Sequence, residues 1–435
     1  MKSIACTILI LLLLPLYARA QDDYSFDLSE IEKKPYTFGG YLELTPEVFW
    51  LDHDAAFYDL NFYDKGEKDY LDEYFVKLSM NGGYTKGISE IYVRANINRT
   101  ESHIDSGTDI TIDEGYLSFK PSSTLNISIG KKVLMWGKGY AWNPVGFVGR
   151  PKNPDDPDLA LEGYIVATAD YIKSFSGPLK AMAVTPVIIP VYDHINTDLG
   201  TRNNINYAGK LYFLLYDTDI DFMFQKGNSR PSRYGMDFSR NITSNFEIHG
   251  ELAHIDNITK KAIDRNGTIT QSTNDIESYL LGIRYLTEAD TTFIFEYYRN
   301  GTGFTGEEME GFFGLVDNGM NDYLSSGDAT RLQKARTVTE GNYGRQNPMR
   351  DYLYTRISQK EPFDILYFTP SVTCIYNVVD DSFSLSPEVL YTGITNLELR
   401  LKAGFIVGSE NTEFGEKQND YRIELRLRYY FDAAK

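Results

Sequence analysis

The 435-residue chain predicts an all-β fold: a transmembrane, antiparallel, up-and-down β-barrel of about 18 strands, with short periplasmic turns and long extracellular loops. Three observations carry that prediction. Segments of strand length place apolar side chains on one face and polar ones on the other, from end to end of the chain. The connections between them alternate between short and long. Finally, 33 Tyr and 25 Phe occur in a chain whose later segments lack the roughly 18 consecutive apolar residues of a membrane-crossing helix.

The first stretch stands apart. Met1-Lys2-Ser3, an apolar run Ile8–Leu16 and Ala18-Arg19-Ala20 have the charged start, short apolar core and small-residue end of a secretory signal peptide over residues 1–20. Its apolar run falls short of the roughly 20 residues that a spanning helix needs. Cys6 precedes that run, the wrong place for a lipid attached after cleavage. Removing the segment leaves Cys374 as the one cysteine, so an intramolecular disulfide is impossible. It also takes Lys2 and Arg19 from a chain whose formal net charge is already -18. Residues 21–35 are polar and end in Lys33-Lys34-Pro35, which suggests a periplasmic N-terminal extension. The barrel is expected over 36–435.

Strands are expected near 38–50, 72–80, 88–98, 111–120, 125–135, 164–172, 180–189, 207–216, 219–226, 233–240, 244–254, 277–286, 291–299, 351–359, 365–377, 382–392, 396–408 and 421–431. The last two are the clearest. Leu397, Leu399, Leu401, Ala403, Phe405 and Val407 fall on one face, with Glu398, Arg400 and Lys402 on the other. Tyr421, Ile423, Leu425, Leu427, Tyr429 and Phe431 alternate with Arg422, Glu424, Arg426 and Arg428. Side chains of a strand point alternately to opposite faces, so each strand has a wholly apolar face fit for lipid. One such strand also fits a soluble core; the recurrence does not. A β-propeller would show a blade repeat, and none is present. The strand Tyr421–Phe431 is expected to close against 38–50 and to serve the barrel-assembly machinery as its signal.

Short turns are expected at Asn81-Gly82-Gly83, Pro121-Ser122-Ser123, Asp217-Thr218-Asp219 and Lys360-Glu361-Pro362, among others. Long connections fall near 51–71, 99–110, 136–163, 190–206, 255–276, 300–350 and 409–420. In the longest, Met309, Phe312, Phe313, Val316, Met320 and Tyr323 recur at helical spacing, which predicts a short amphipathic helix over Glu307–Tyr323 packed on the barrel mouth. The connection 136–163 is stiffened by proline and glycine and carries Trp136, Trp142, Val145, Phe147 and Val148. These residues are poorly placed in open water, so the loop is expected to fold into the lumen. Arg150 and Lys152, set against Asp155, Asp156 and Asp158, are then the candidate pore constriction. The competing placement caps the outer mouth with the same aromatics.

Four stretches resemble a known group: Phe38-Gly39-Gly40-Tyr41, Asp113-Glu114-Gly115-Tyr116-Leu117, Gly130 through Gly137 with Trp136, and Arg150-Pro151-Lys152-Asn153-Pro154. They are similar to porin-like bacterial outer-membrane families of unknown function, in which an E-x-Y strand precedes a G-[RK]-x-x-x-x-W-G strand end. More distantly, the chain resembles the eighteen-stranded alginate-export porins. The resemblance implies a Gram-negative outer membrane and a barrel. It supplies no binding residues.

The lumen face is expected to carry Arg94, Glu114, Lys132, Glu247, Glu251, Arg284, Glu296, Glu388, Glu398, Arg400, Arg422, Glu424, Arg426 and Arg428. Such charges either set selectivity or pair across strands and keep the interior wet. Arg400, Arg422, Arg426 and Arg428 could attract anions if no facing carboxylate neutralises them. An enzyme is not expected. His53, His194 and His254 have Asp neighbours, but H-E-x-x-H, G-x-S-x-G and C-x-x-C are all absent. Asp155, Asp156 and Asp158 lack the spacing of a calcium loop. No cofactor, no metal and no nucleic acid are predicted. The expected partners are outer-membrane lipid, lipopolysaccharide and a hydrophilic solute. The predicted function is a channel for small or polymeric hydrophilic solutes; the alternative is a non-conducting accessory barrel that serves an export or surface-assembly system.

Overall fold

In the computed structural model, residues 34–102, 106–157, 159 and 161–432 are described. The expected signal peptide, most of the 21–35 extension and Asp158 lie outside them. Among the described residues, 18 strands form one antiparallel sheet that closes on itself. They begin with β1 (Tyr36–Leu51), β2 (Tyr70–Lys86), β3 (Ser89–Ser102), β4 (Ser106–Ser122), β5 (Leu125–Lys132) and β6 (Tyr164–Ser174). Next come β7 (Leu179–Val191), β8 (Asn204–Leu215), β9 (Thr218–Lys226), β10 (Arg233–Thr243), β11 (Phe246–Ile263) and β12 (Ile269–Leu286). The wall is completed by β13 (Thr291–Arg299), β14 (Asp351–Gln359), β15 (Phe368–Asn377), β16 (Phe383–Ile394), β17 (Leu397–Val407) and β18 (Asn419–Asp432).

Closure is made by β18 against β1, in the register Gly40 to Phe431 and Val48 to Ile423. A sheet without an edge leaves no unpaired row of backbone donors and acceptors, which is the condition for crossing lipid with strands. Alternation does the rest. On β17, Leu401 and Phe405 are exposed while Lys402 is buried; on β18, Ile423 and Leu425 are exposed while Glu424 is buried. The outward apolar faces form the belt of an outer-membrane barrel.

Several boundaries differ from those expected. Asn81-Gly82-Gly83 is not a turn but lies inside β2, where Gly83 faces Thr37 and Asn81 faces Gly39. The chain reverses at Gly87-Ile88 instead, beyond the Lys86–Ser89 pair. The expected 255–276 connection is mostly strand: β11 and β12 run on as a hairpin that joins Ile263 to Ile269. Polar residues such as Thr259, Lys260, Thr270 and Ser272 hide that extension, because above the membrane neither face has to be apolar.

Three α-helices lie in the long connections: α1 (Ala56–Phe62), α2 (Gly306–Ser326) and α3 (Thr330–Val338). The helix expected over Glu307–Tyr323 is α2. Its start is fixed by a capping box, in which the Glu308 amide donates to Thr305 Oγ1 at 3.2 Å and the Thr305 amide donates to the Glu308 carboxylate at 2.8 Å. Met309, Phe312, Phe313 and Val316 are buried on one face and pack with Leu332 of α3 and Ile263 of β11. Tyr343 stacks between Phe304 and Phe312, with centroids 4.1 and 4.3 Å away. Its hydroxyl accepts the Ile263 amide at 2.9 Å. These helices form a cap whose core is continuous with Trp142.

Candidate functional site

After β5 the chain leaves the wall at Val133, whose amide donates to Glu114 Oε1 at 3.1 Å. It returns at Gly163, whose amide donates to the Asp113 carbonyl at 2.8 Å. Between these points it crosses the bore. Glu251 of β11, 4% exposed, receives its base. The amides of Lys138 and Gly139 donate to Glu251 Oε1 at 2.6 and 2.7 Å, joined by Asn143 Nδ2 at 2.9 Å. The Val145 amide donates to Oε2 at 3.2 Å. Glu296 of β13, fully buried, accepts the amides of Tyr140 and Ala141 and contacts His249 Nε2 at 2.9 Å. Converging amides satisfy a buried carboxylate that would otherwise be costly to desolvate. The glycines make this approach possible. At Gly137 (φ 104°), a Cβ would sit 2.6 Å from Glu251 Oε1, and at Gly139 it would sit 2.1 Å from the Trp142 carbonyl.

The apolar side chains divide between two clusters. Trp136, Val145, Phe147 and Val148 pack on Tyr164 and Val166 of β6, Val187, Ile189 and Val191 of β7, and Met223 of β9. Trp142 turns to the cap and stacks on Tyr298 with centroids 5.0 Å apart. Beneath the base, Lys138 Nζ lies 2.9 Å from Asp221 and 3.9 Å from Asp237.

The tip of the loop reaches the opposite wall. Asp156 lies 2.8 Å from Arg426 and 3.5 Å from Arg400. Asp155 lies 3.9 Å from Arg422, and its carbonyl accepts Lys402 Nζ at 2.7 Å. Burial works to raise the Asp156 carboxyl, but Arg426, Arg400 and Lys402 outweigh it and hold the group below the usual carboxylate range. Asp155 and Asp156 are therefore ion-paired.

The structure does not bring together the four expected constriction residues that it describes, Arg150, Lys152, Asp155 and Asp156; Asp158 lies outside the described residues. Arg150 pairs with Asp198 and, at 3.1 Å, with Glu162. Lys152 Nζ donates to the Gly139 carbonyl at 2.7 Å. The opposed charges at the tip are instead Asp155 and Asp156 against Arg400, Arg422 and Arg426. The arginine group that could attract anions in the absence of facing carboxylates is neutralised by them. Arg400 has Glu388 and Glu398 within 3.7 Å, Arg426 has Glu424 at 2.9 Å, and Arg428 has Glu43 at 2.6 Å and Glu398 at 3.7 Å. Arg94 contacts Glu114 at 3.4 Å and donates to the Leu161 carbonyl at 2.7 Å, holding the returning end of the loop. Lys132 donates to Ser128 Oγ at 3.0 Å, and Arg284 lies 4.0 Å from Glu247; neither meets the tip. Lys138, His249, Asp221 and Asp237 are not distinguished by any pattern in the sequence. The readable signal for Glu296 was an acid inside the apolar run Phe293–Tyr298.

Two cavities lie along the inner wall, one of which reaches the tip. One of about 520 Å³ is lined by Tyr41, Ser79, Asn81, Tyr92, Arg94 and Asp113 and opens toward the short-turn rim at Asp432. One of about 190 Å³ lies toward the long loops and includes Asp155, Arg422, Glu413 and Lys417.

No protein-family model matches the chain, and no curated protein matches it in sequence. Solved structures match in shape. OccAB1 of Acinetobacter baumannii is 12% identical with a TM-score of 0.51, over 92% of this chain and 97% of that one. Pseudomonas aeruginosa OpdQ gives 11% and 0.50, over 92% and 100%. OccK5 (OpdH) of Pseudomonas aeruginosa gives 11% and 0.50, over 91% and 98%. At such identities the likeness is one of fold. The closed 18-stranded barrel with its apolar belt is an outer-membrane barrel of porin-like architecture.

Proposed function

We propose that the protein is a channel for small hydrophilic solutes, narrowed by the loop 133–163 and selective at its tip. One observation supports this above the rest: the loop spans the bore and sets Asp155 and Asp156 against Arg400, Arg422 and Arg426, with a cavity that reaches Asp155 and Arg422. Opposed charges across a narrow passage orient a polar solute and favour one with complementary groups. The two cavities suit small molecules. A polymeric solute requires Asp156 to release Arg426 and the tip to swing away.

A second reading, a sealed accessory barrel serving export or surface assembly, is favoured by the cap, because its apolar core runs unbroken from α2 and α3 to Trp142. Planar bilayers separate the two. Steady conductance that rises several-fold when residues 143–157 are deleted supports the channel. A barrel that stays closed both with the loop and without it moves the assignment to the accessory role.

A further inference from the structure

Behind the loop, away from the tip, lies a cavity of about 290 Å³ bordered by Arg150, Lys152, Tyr164, Arg230 and Arg233. The cations there are unevenly served. Arg150 has Asp198 and Glu162, and Tyr164 donates to the same Asp198 at 3.4 Å. Arg230, in the connection between β9 and β10, donates to Gln225 Oε1 at 3.0 Å and to the Phe147 carbonyl, both neutral acceptors. Arg233, the first residue of β10, is paired through its backbone to Ile255 and Gln225, but its guanidinium has no hydrogen-bond or ion-pair partner among the described residues and its Nε is buried. Burial, and then the Arg233 charge beside it, push the Arg230 guanidinium down to about 9. Asp198, already engaged by Arg150, reaches Arg230 through its charge alone, and a half-buried guanidinium with no carboxylate in contact is costly to hold.

We propose that this cavity binds a phosphate-type oxyanion, held by Arg233 and Arg230 and closed off by Arg150. Two guanidinium groups with no carboxylate in contact match a group that carries about -1.5 to -2 at neutral pH and accepts several hydrogen bonds. The planar donor fork of arginine fits phosphate oxygens in pairs. Because the site lies between the loop and the wall, the bound anion fastens Gly149–Lys152 in place and does not travel through the bore. The inference is independent of whether the barrel conducts. The phosphate has two possible sources: the free ion, or a lipid headgroup whose chains follow Met135, which lines the cavity and is 68% exposed.

The test uses the full-length protein, purified in detergent and phosphate-free chloride buffer and titrated calorimetrically with inorganic phosphate at constant ionic strength. Saturable binding is expected, with Arg233→Gln weakening it roughly ten- to a hundred-fold. In chloride alone, Arg233→Gln should melt no earlier than the parent, since it removes an unpaired cation; with phosphate, only the parent should gain. If a headgroup occupies the site, organic extracts of dialysed parent protein will carry more lipid phosphorus than extracts of Arg233→Gln. Equal phosphate binding by parent and variant overturns the proposal. So does a failure to saturate by about 10 mM phosphate combined with equal lipid phosphorus.

Discussion

The two walls that the loop touches are built from opposite materials. Along β6 to β9 the inward face carries an apolar patch: Val166, Val187, Ile189 and Met223 are almost wholly buried and cluster with Trp136, Phe147 and Val148, with Asp221 of β9 beside it, paired to Lys138. Along β16 to β18 it is ionic, with Arg400, Arg426 and Glu424 paired to each other's neighbours and to the loop. Burying a large apolar side chain contributes about 1.5–3 kcal/mol. An ion pair that keeps some contact with water contributes about 0–1 kcal/mol. The base of the loop is therefore fixed and its tip is held lightly. Whatever the barrel selects or admits, the part able to yield is the tip.

The largest effect expected from breaking this contrast is at Trp136. Trp136→Ala should cost the base about 3–5 kcal/mol, read as lost hydrogen-exchange protection of the Lys138–Val145 amides. Protection that survives the change would mean that the apolar wall does not anchor the loop.

The outside of the barrel should be blind to this difference. Ile188 lies behind the dry wall and Leu425 behind the ionic one, both exposed on the lipid face. Arginine at either site should cost about 2–4 kcal/mol near the bilayer midplane, measured by reversible unfolding in lipid. A clearly smaller penalty at one of them would show that its belt position is misassigned.

A smaller effect is expected at the tip. Asp156→Asn removes the charge facing Arg426 and Arg400. It should cost about 1 kcal/mol, shift selectivity toward anions and leave protection at the base unchanged. Acid should act similarly on the unaltered protein. Since the Asp156 carboxyl is held below its usual range, its contribution is complete above the ordinary carboxylate value of about 4. That contribution is lost as pH falls through the lower folded value. Conductance should therefore change below about pH 4 in the parent and not in Asp156→Asn; equal titrations in both would assign the change to another group.

Much of the barrel was legible because lipid imposes a rule on every strand. Leu397–Val407 and Tyr421–Phe431 could be read residue by residue, since an apolar face must alternate with whatever lies inside. The inside obeys no such rule, and there the reading weakened. Ala183–Val191 is apolar on both faces, a sign that something dry packs against its inner side, but sequence alone does not say which segment. The aromatic content of the loop indicated an inward fold. The acceptors at Glu251 and Glu296 could not be matched to their donors, because pairing across the bore depends on register and closure. The same holds for Arg150 and Lys152, which lie near the acids in sequence yet are served by Asp198, Glu162 and the loop's own carbonyl. Helices α1 and α3 are short and weakly patterned, and they are ordered by the cap they join.

The span of the loop also dictates an order of assembly. Gly139 meets Glu251 across 112 positions of sequence, and Asp156 meets Arg426 across 270. Neither partner exists as a surface until the late strands have zipped, and closing so long a segment brings no reward before then. During insertion the loop must stay hydrated while Glu251, Glu296 and Asp237 face water. It can settle only once β18 has met β1. The interior is then finished last, from within a cylinder that is already closed.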